Sequence, residues 1–489
     1  MCLRDDNPAM NRQTRSFYWH DYETWGADPA RDRAAQFAGL RTDLEFNPIG
    51  EPLVIYARPA DDLLPQPGAC MVTGISPQKA LAEGLPEADF FRFIHAEMSQ
   101  PGTCSLGYNT LRFDDEVTRY GLYRNFFDPY EREWKNGNSR WDMIDVVRLT
   151  RALRPEGIEW PQKEDGVTSF RLEELTAANG IEHAGAHDAL VDVRATIGIA
   201  RLIRECQPRL FDYVFSHRDK HTLAGMLDMG VQQPLLHVSA RYPARLGCIA
   251  AVLPLAMHPR NRNSVIVYDL RVDPEPLFSL SADELRERLY TRSEDLPEGM
   301  ERVPLKEIHI NKAPVVVPMS TLTDAAREEW QMEAATEQRH LQALLSRRMQ
   351  LQDKLAAVFA EREFPARDDP DLDLYGGFLG DADRRRCDKV RATAPEALAR
   401  LRIDFDAPKL DEMLFRYRAR NWPETLTRAE RERWDAFRRQ RLNDPQGGAS
   451  IDLASYRREL SKLAVDADLP PDRRLVVDEL LDWPEQIGL

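Results

Sequence analysis

The sequence predicts an α/β domain with a mixed sheet flanked by helices, then a small β domain, then a helical C-terminal region. Three strand-like runs followed by alternating helices and strands indicate the first domain. Short apolar runs between turn residues, over residues 234–318, indicate the second. From residue 321 almost to the end, the apolar spacing is helical. A chain of 489 residues is long enough for about two to four such cores.

The first domain begins with strand-like runs at residues 17–24, 34–42 and 51–58. The segment N-P-I-G at residues 47–50 has turn chemistry and separates the last two runs. Residues 87–98 then have helical spacing. These segments predict a three-strand meander followed by a helix.

Helices and strands alternate in the rest of this domain. Residues 103–108 form a short apolar run that predicts a central strand, and a helix begins near Phe113. Residues 140–152 are amphipathic, and residues 170–179 predict a helix that ends at Gly180. The order of these segments predicts helices packed on a mixed sheet.

The composition predicts a soluble cytoplasmic protein. No run of about 18 apolar residues is present, and the polar residues 1–15 lack a signal-peptide core and predict a disordered leader. Six scattered cysteines without a C-x-x-C motif favour reduced thiols over disulfides or a zinc site. The net charge of −15 does not exclude a nucleic-acid partner, because a polyanion responds to the local field of a groove.

Two carboxylates, Asp21 and Glu23, end the first predicted strand. Side chains alternate along a strand, so residues two apart lie on the same side. Carboxylates this close repel each other unless a cation lies between them or one is protonated. Oxygen ligands of this kind suit Mg²⁺ or Mn²⁺ rather than zinc. The pair predicts a divalent metal site, although acidic pairs with this spacing are also common on surfaces.

Three further residues stand where catalytic groups are expected. Asp114 begins a helix after a strand, His187 follows the break in periodicity at Gly185, and Asp192 lies about one turn into the next helix. Taken alone, Asp114 could simply favour the helix dipole. His183 and His187 have the spacing of a metal-binding pair, but Gly185 between them disfavours a shared helical face. The order D-x-E, F-D, H-x-x-x-x-D is more specific than any one of its parts.

These motifs resemble the histidine-bearing branch of the DEDD superfamily of 3′→5′ exonucleases, and within it the bacterial exonuclease I family. The resemblance is carried by H-D-Y-E-T-W-G, G-Y-N-T-L-R-F-D-D-E and A-H-D-A-L-V-D-V, and later by H-I-N-K-A-P-V and Y-R-A-R-N-W-P. It covers nearly the whole chain and weakens only in the leader, in residues 320–362 and after residue 442.

The resemblance implies a fold and a function. It implies a ribonuclease H-like nuclease domain over residues 16–206, an SH3-like domain with a helical linker over 207–362, and a helical C-terminal domain over 363–489. It also implies hydrolysis of single-stranded DNA from the 3′ end, with release of 5′-mononucleotides, in DNA repair and recombination.

The same resemblance implies roles for the five residues. Asp21, Glu23, Asp114 and Asp192 would hold two Mg²⁺ ions, which Mn²⁺ could replace, with Asp21 as the bridge between them. His187 would take the proton from the attacking water, since imidazole titrates near neutral pH. The resemblance further implies binding to the acidic tail of single-stranded DNA-binding protein. We expect a monomer.

Arginines predict the path of the DNA. Residues 412–441 contain nine arginines against five acids, with aromatic side chains between them. Arginine for phosphates and aromatic rings for bases are the chemistry of a single-strand groove. Alternating charges over T-R-A-E-R-E-R-W instead fit a solvated helix. The expected DNA contacts are Arg112, Arg119, Arg124, Arg140, Arg148, Arg416, Arg418 and Arg420.

Two other functions remain open from the residues alone. An exonuclease of the same superfamily that trims RNA would carry the same five groups, because metal ions act on the phosphate and RNA is distinguished by its 2′-hydroxyl. A non-catalytic DNA-binding protein could also be built on a nuclease fold. The complete set of five residues opposes that second alternative.

Overall fold

The computed structural model describes residues 14–185, 187–360 and 367–489. Most of the predicted leader, and the predicted boundary between residues 362 and 363, therefore lie outside the described residues. Across the ranges that are described, no helix combines the length and apolarity needed to cross a membrane.

Strands and helices occur in the predicted order. The strands are β1 (Ser16–Thr24), β2 (Ala34–Thr42), β3 (Leu53–Tyr56), β4 (Thr103–Leu106), β5 (Ser139–Arg140), β6 (Leu235–Val238), β7 (Ile249–Met257), β8 (Ser264–Asp269), β9 (Leu305–His309) and β10 (Val316–Pro318). The α-helices are α1 (Pro67–Thr73), α2 (Pro77–Glu83), α3 (Glu87–Met98), α4 (Asp114–Arg124), α5 (Met143–Leu153), α6 (Leu172–Ala178), α7 (Ala189–Cys206), α8 (Pro208–Ser216), α9 (Lys220–Met226), α10 (Glu275–Ser279), α11 (Ala282–Tyr290), α12 (Asp324–Glu329), α13 (Ala334–Ser346), α14 (Arg348–Ala360), α15 (Asp381–Ala392), α16 (Pro395–Leu398), α17 (Lys409–Asn421), α18 (Arg428–Asn443), α19 (Leu453–Ala464) and α20 (Pro471–Gln486).

The first sheet is mixed, with strand order β3-β2-β1-β4-β5. β1 pairs antiparallel with β2 and parallel with β4, so the predicted mixed sheet flanked by helices is confirmed. The predicted helix over residues 140–152 starts later, at Met143, because Arg140 belongs to β5 and the Asp142 side chain accepts a hydrogen bond from the Ile144 amide.

Aromatic side chains of β1 make it the centre of the first core. Tyr18 and Tyr22 are buried against Phe37 of β2, Phe90 of α3 and Val117 of α4. Burying an apolar side chain of this size contributes roughly 1.5–3 kcal/mol. This packing holds β1 and the N-terminal part of α4 in one rigid arrangement.

The C-terminal helices belong to the same compact unit as this sheet. The unit combines residues 14–140, 183–194 and 367–489, and a second unit contains residues 141–182 and 195–360. In the first unit, Tyr120 and Tyr123 of α4 pack in one buried cluster with Leu410, Met413 and Tyr417 of α17. The predicted domain limits remain predictions, but the C-terminal helices are clearly not an independent core.

A buried network of ion pairs crosses this first unit. The Asp62 carboxylate, whose side chain is 0% exposed, accepts hydrogen bonds from both terminal nitrogens of Arg33 at 2.9 Å and from Arg420 Nη2 at 2.8 Å. Arg420 also binds Asp371, which binds Arg416 at 2.9 Å. Burial alone would raise the pKa of Asp62, but Arg33 and Arg420 hold it well below its ordinary value.

The second unit contains a five-stranded antiparallel sheet with the order β10-β6-β7-β8-β9. Its core includes Val252 of β7, Val267 of β8 and Ile308 of β9, all nearly inaccessible to solvent. The helices α10 and α11 lie between β8 and β9 in the chain, and the SH3-like assignment of the sheet is confirmed.

We expect Asp62→Asn to lower the free energy of unfolding by about 3–5 kcal/mol, because removing one partner of a buried pair leaves uncompensated charges. Urea and thermal unfolding would measure the loss. Glu432→Gln is the control, since its pair with Arg428 is largely exposed, and it should not move the transition. Equal stability of the two variants would show that the Asp62 network does not stabilise the first unit.

Candidate active site

Asp21 and Glu23 lie at the C-terminal end of β1. Asp21 stands opposite Ala38 of β2 and Glu23 opposite Gln36, and the pairing shifts between Glu23 and Thr24, where the strand ends. Glu23 is buried, with 8% of its surface exposed, and Asp21 is partly buried. Residues two apart on a strand share one side, so both carboxylates leave the sheet together.

A close turn after β4 brings Asp114 to the same place. A Cβ at Gly107 would lie 2.5 Å from the His20 carbonyl oxygen, so only glycine permits this approach of the turn to β1. α4 then begins at Asp114, whose Oδ1 accepts a hydrogen bond from the Tyr22 amide at 3.1 Å. That bond fixes the Asp114 carboxylate beside the residue between Asp21 and Glu23.

The adjacent acid, Asp115, has a different role. Its carboxylate binds Arg132 at 2.5 Å and Arg140 at 2.6 Å, and it is 2% exposed. Burial alone would raise the pKa of Asp115, but Arg140 and Arg132 hold it well below its ordinary value. Of the two neighbouring acids at the start of α4, Asp114 therefore belongs to the site and Asp115 to a structural cluster of ion pairs.

α7 and the loop before it supply the other two predicted residues. Asp188 caps the helix by accepting hydrogen bonds from the Leu190 and Val191 amides, and Asp192 lies in the first turn. His187 is exposed and has a φ of 71°. Ligand atoms of Glu23, His187 and Asp192 lie within 4.8 Å of one another.

Charge repulsion dominates the electrostatics of this cluster. Burial, and then the carboxylate of Asp114, raise the pKa of Asp21 well above its ordinary value. For Glu23, burial and then the carboxylate of Asp192 raise the pKa to about 9. When these carboxylates are all ionised they repel one another, and a divalent cation bound between them relieves that repulsion. Carboxylate oxygens are ligands that suit Mg²⁺ or Mn²⁺. The residues present therefore fit the expected metal site.

Two contacts at this site involve residues to which the sequence assigned no role there. His183 Nε2 lies 2.5 Å from Asp192 Oδ1, and Gln36 Oε1 accepts a hydrogen bond from the Ala189 amide at 3.3 Å. The sequence pattern does not reveal either contact, because His183 lies in an irregular segment before α7 and Gln36 is 153 residues from Ala189. The helix cap at Asp188 could have been found, because aspartate is a preferred residue just before a helix.

The arginines expected on the DNA path are mostly committed to carboxylates. Side chains of seven of them are buried in ion pairs: Arg119 with Glu116 and Glu133, Arg124 with Glu87, Arg140 with Asp115 and Glu133, Arg148 with Asp145, Arg416 with Asp369, Asp371 and Glu412, Arg418 with Glu430, and Arg420 with Asp62 and Asp371. Arg112 is the exposed member of this set of eight. The seven buried side chains do not form an open cationic surface, which argues against them as phosphate contacts.

Family models match three consecutive parts of the chain. Residues 18–200 match an exonuclease model, residues 218–361 match the exonuclease I SH3-like domain, and residues 368–487 match the exonuclease I C-terminal domain. The candidate site lies wholly within the first match.

Individual proteins match over most of the chain. Exodeoxyribonuclease I of Escherichia coli K12 is 52% identical over 432 residues, which is 88% of this chain and 90% of the relative. The crystal structure of E. coli exonuclease I with a dA16 oligonucleotide aligns with a TM-score of 0.92 at 48% identity, over 97% of this chain and 100% of the other. The crystal structure of SSB/exonuclease I in complex with the inhibitor CFAM aligns with a TM-score of 0.89 at 46% identity, over 97% of this chain and 100% of the other.

The raised acid pKa values make the stability of the metal-free protein depend on pH. Between the ordinary pKa of Glu23, 4.5, and its value of about 9 in the fold, the folded protein binds more protons than the unfolded chain. Stability then falls as pH rises through this window. In chelator, we expect the thermal midpoint of the native protein to fall more steeply from pH 5 to pH 9 than that of Glu23→Gln.

Added Mg²⁺ should raise the midpoint of the native protein most at the upper end of this window, where protons no longer compensate the carboxylates. If the thermal midpoints of the native protein and of Glu23→Gln fall equally between pH 5 and pH 9 in chelator, the pKa of Glu23 is not raised in the fold.

Proposed function

The chain belongs to the exonuclease I family, and we propose that it hydrolyses single-stranded DNA from the 3′ end and releases 5′-mononucleotides. It is an exodeoxyribonuclease, and DNA repair and recombination are the processes in which we place it. The observation that carries the proposal is the buried carboxylate cluster at the end of β1, with an exposed histidine beside it.

The four acids are proposed to bind two divalent cations, with Mg²⁺ as the natural ion and Mn²⁺ as a substitute. Asp21, whose carboxylate interacts with the other three, would hold the ions together with Glu23, Asp114 and Asp192. When bound, such a pair of ions stabilises charge on the phosphate and on the departing 3′ oxygen, and it orients the attacking water. Tyr22, through its amide, keeps the Asp114 carboxylate turned toward this point.

His187 is proposed as the general base that accepts the proton of the attacking water. Its side chain is exposed, so substrate can reach it, and its ligand atom is close to those of Glu23 and Asp192. The loop conformation at His187 has a positive φ, which costs energy for a residue with a side chain. Such strain is often concentrated where a catalytic group must be held in one position.

Of the eight arginines expected to contact DNA, Arg112 is the one that we propose as a phosphate contact. It lies in the turn just before α4, two residues from Asp114, and its side chain is exposed. An exposed guanidinium at this place would bind the backbone of the strand that enters the site.

We also propose binding to the acidic tail of single-stranded DNA-binding protein; the similar structure of SSB/exonuclease I in complex with an inhibitor supports a partnership of this kind. A monomer in the cytoplasm remains our proposal for state and location. The described cysteines, all free thiols, fit a reducing compartment.

The first test measures mononucleotide release from a 3′-labelled DNA oligomer and from RNA of the same sequence, each single- and double-stranded. We expect rapid release from single-stranded DNA with Mg²⁺ and none with chelator. Asp21→Ala should abolish release while DNA binding in fluorescence anisotropy persists, whereas Asp89→Ala, at a partly exposed acid on α3, should behave as native. Preference for RNA would replace the proposed substrate, and no release from any oligomer would remove the proposed activity.

His187→Ala should lower the rate by roughly 10²- to 10⁴-fold with metal binding retained, the usual range for loss of a general base. Single-turnover kinetics would give the rate, and calorimetric titration with Mn²⁺ would give the metal affinity. Loss of Mn²⁺ binding in this variant would instead make His187 a metal ligand, a role its distance from Glu23 and Asp192 also permits.

A further inference from the structure

His183 makes a contact at the site that the mechanism above does not use. Its Nε2 lies 2.5 Å from Asp192 Oδ1, and its side chain is 6% exposed, while that of Asp192 is 17% exposed. The imidazole therefore lies on the protein side of the carboxylate, away from solvent. A ring nitrogen and a carboxylate oxygen at this distance are joined by a hydrogen bond.

The contact selects one orientation of the Asp192 carboxylate. A carboxylate has two oxygens, and the bond to Oδ1 leaves Oδ2 available to a cation. Without it, the side chain of Asp192 could rotate in response to the acids around it, since the Asp192 carboxylate repels that of Glu23. Holding the carboxylate fixed lowers the cost of orienting it when a cation binds.

His183 also stands at the start of the loop that carries His187. Gly185 and His187 both have positive φ values, 92° and 71°, and the Asp188 amide donates to the Gly185 carbonyl at 3.1 Å. At its other end the loop is fixed by the Asp188 cap of α7. The bond to Asp192 thus ties the beginning of the loop to the first turn of the helix that follows it.

We propose that His183 is a positioning residue that fixes the Asp192 carboxylate for the metal ion and anchors the loop of His187. The proposal rests on the proposed function, because it takes Asp192 as a metal ligand. Nε2 donates to Asp192, and His183 itself does not contact the substrate or the ion.

The alternative is a hydrogen bond that merely stabilises the fold. Glutamine and asparagine at position 183 separate the two roles, because the glutamine amide nitrogen reaches about as far as Nε2, while the asparagine amide reaches only the place of Nδ1. His183→Gln therefore keeps a donor for Asp192, and His183→Asn loses it with a similar change in polarity. His221→Gln, at an exposed histidine of α9, is the control for the substitution itself.

The experiment is calorimetric titration of the DNA-free, full-length protein with Mn²⁺, with the thermal midpoint in chelator measured for each variant. We expect His183→Ala and His183→Asn to weaken Mn²⁺ binding about 10- to 100-fold, as loss of an outer partner of a metal ligand usually does. His183→Gln and His221→Gln should stay within a few-fold of native. The Mg²⁺ concentration for half-maximal turnover should rise in His183→Ala and His183→Asn but not in His183→Gln or His221→Gln. KM for DNA should be unchanged in all four variants.

Unchanged Mn²⁺ affinity in His183→Ala, or equal affinities in His183→Asn and His183→Gln, would overturn the proposal. A lower midpoint without weaker Mn²⁺ binding would assign His183 to stability alone and also overturn it. Asp192→Asn distinguishes failure of this proposal from failure of the proposed function. If Asp192→Asn leaves Mn²⁺ affinity unchanged, the metal site itself is misassigned. If Asp192→Asn weakens Mn²⁺ binding while the His183 variants bind Mn²⁺ as the native protein does, only the role of His183 is overturned.

Discussion

Negative charge gathered at the end of β1 is the constraint on which the rest of the first unit depends. Burial and mutual repulsion raise the pKa values of Asp21 and Glu23, so this cluster is unfavourable without protons or cations. The fold must therefore hold the acids together against their repulsion. The aromatic packing of β1, the bond from the Tyr22 amide to Asp114 and the capped start of α7 supply that rigidity. A site that is costly when empty binds a divalent cation more strongly once it is filled.

Elsewhere in the first unit, arginines neutralise buried carboxylates instead of leaving them to repel one another. Asp62, Asp371 and Asp115 are buried, as Glu23 and Asp114 of the site are, yet guanidinium groups hold the pKa values of these three acids low. The chain thus contains two classes of buried carboxylate, one neutralised by its own arginines and one left for cations. Asp114 and Asp115 show the division most clearly, because they are adjacent in sequence and belong to different classes. An excess of acids over bases in the whole chain conceals this local arrangement.

The C-terminal helices complete the nuclease unit rather than form a separate body. α17 packs on α4, the helix that begins with Asp114, and its Arg420 reaches Asp62, 358 residues away in sequence. The helical region was predicted from apolar spacing, but that spacing does not reveal the partner of a helix face. Its arginines and aromatic side chains resembled a single-strand groove because such a groove and an ion-paired core use the same residue types.

Local sequence determined the order of strands and helices and the five residues proposed for catalysis. Strand alternation, helix starts and the glycine in the loop act over a few residues, so Asp21, Glu23, Asp114, His187 and Asp192 could be assigned to their elements without a structure. Only the tertiary structure decided which charges are paired, that His183 contacts Asp192, and that residues 14–140 and 367–489 belong to one unit. The physical reason is distance along the chain: ion pairs and loop contacts depend on how separate segments pack, and no local pattern encodes that.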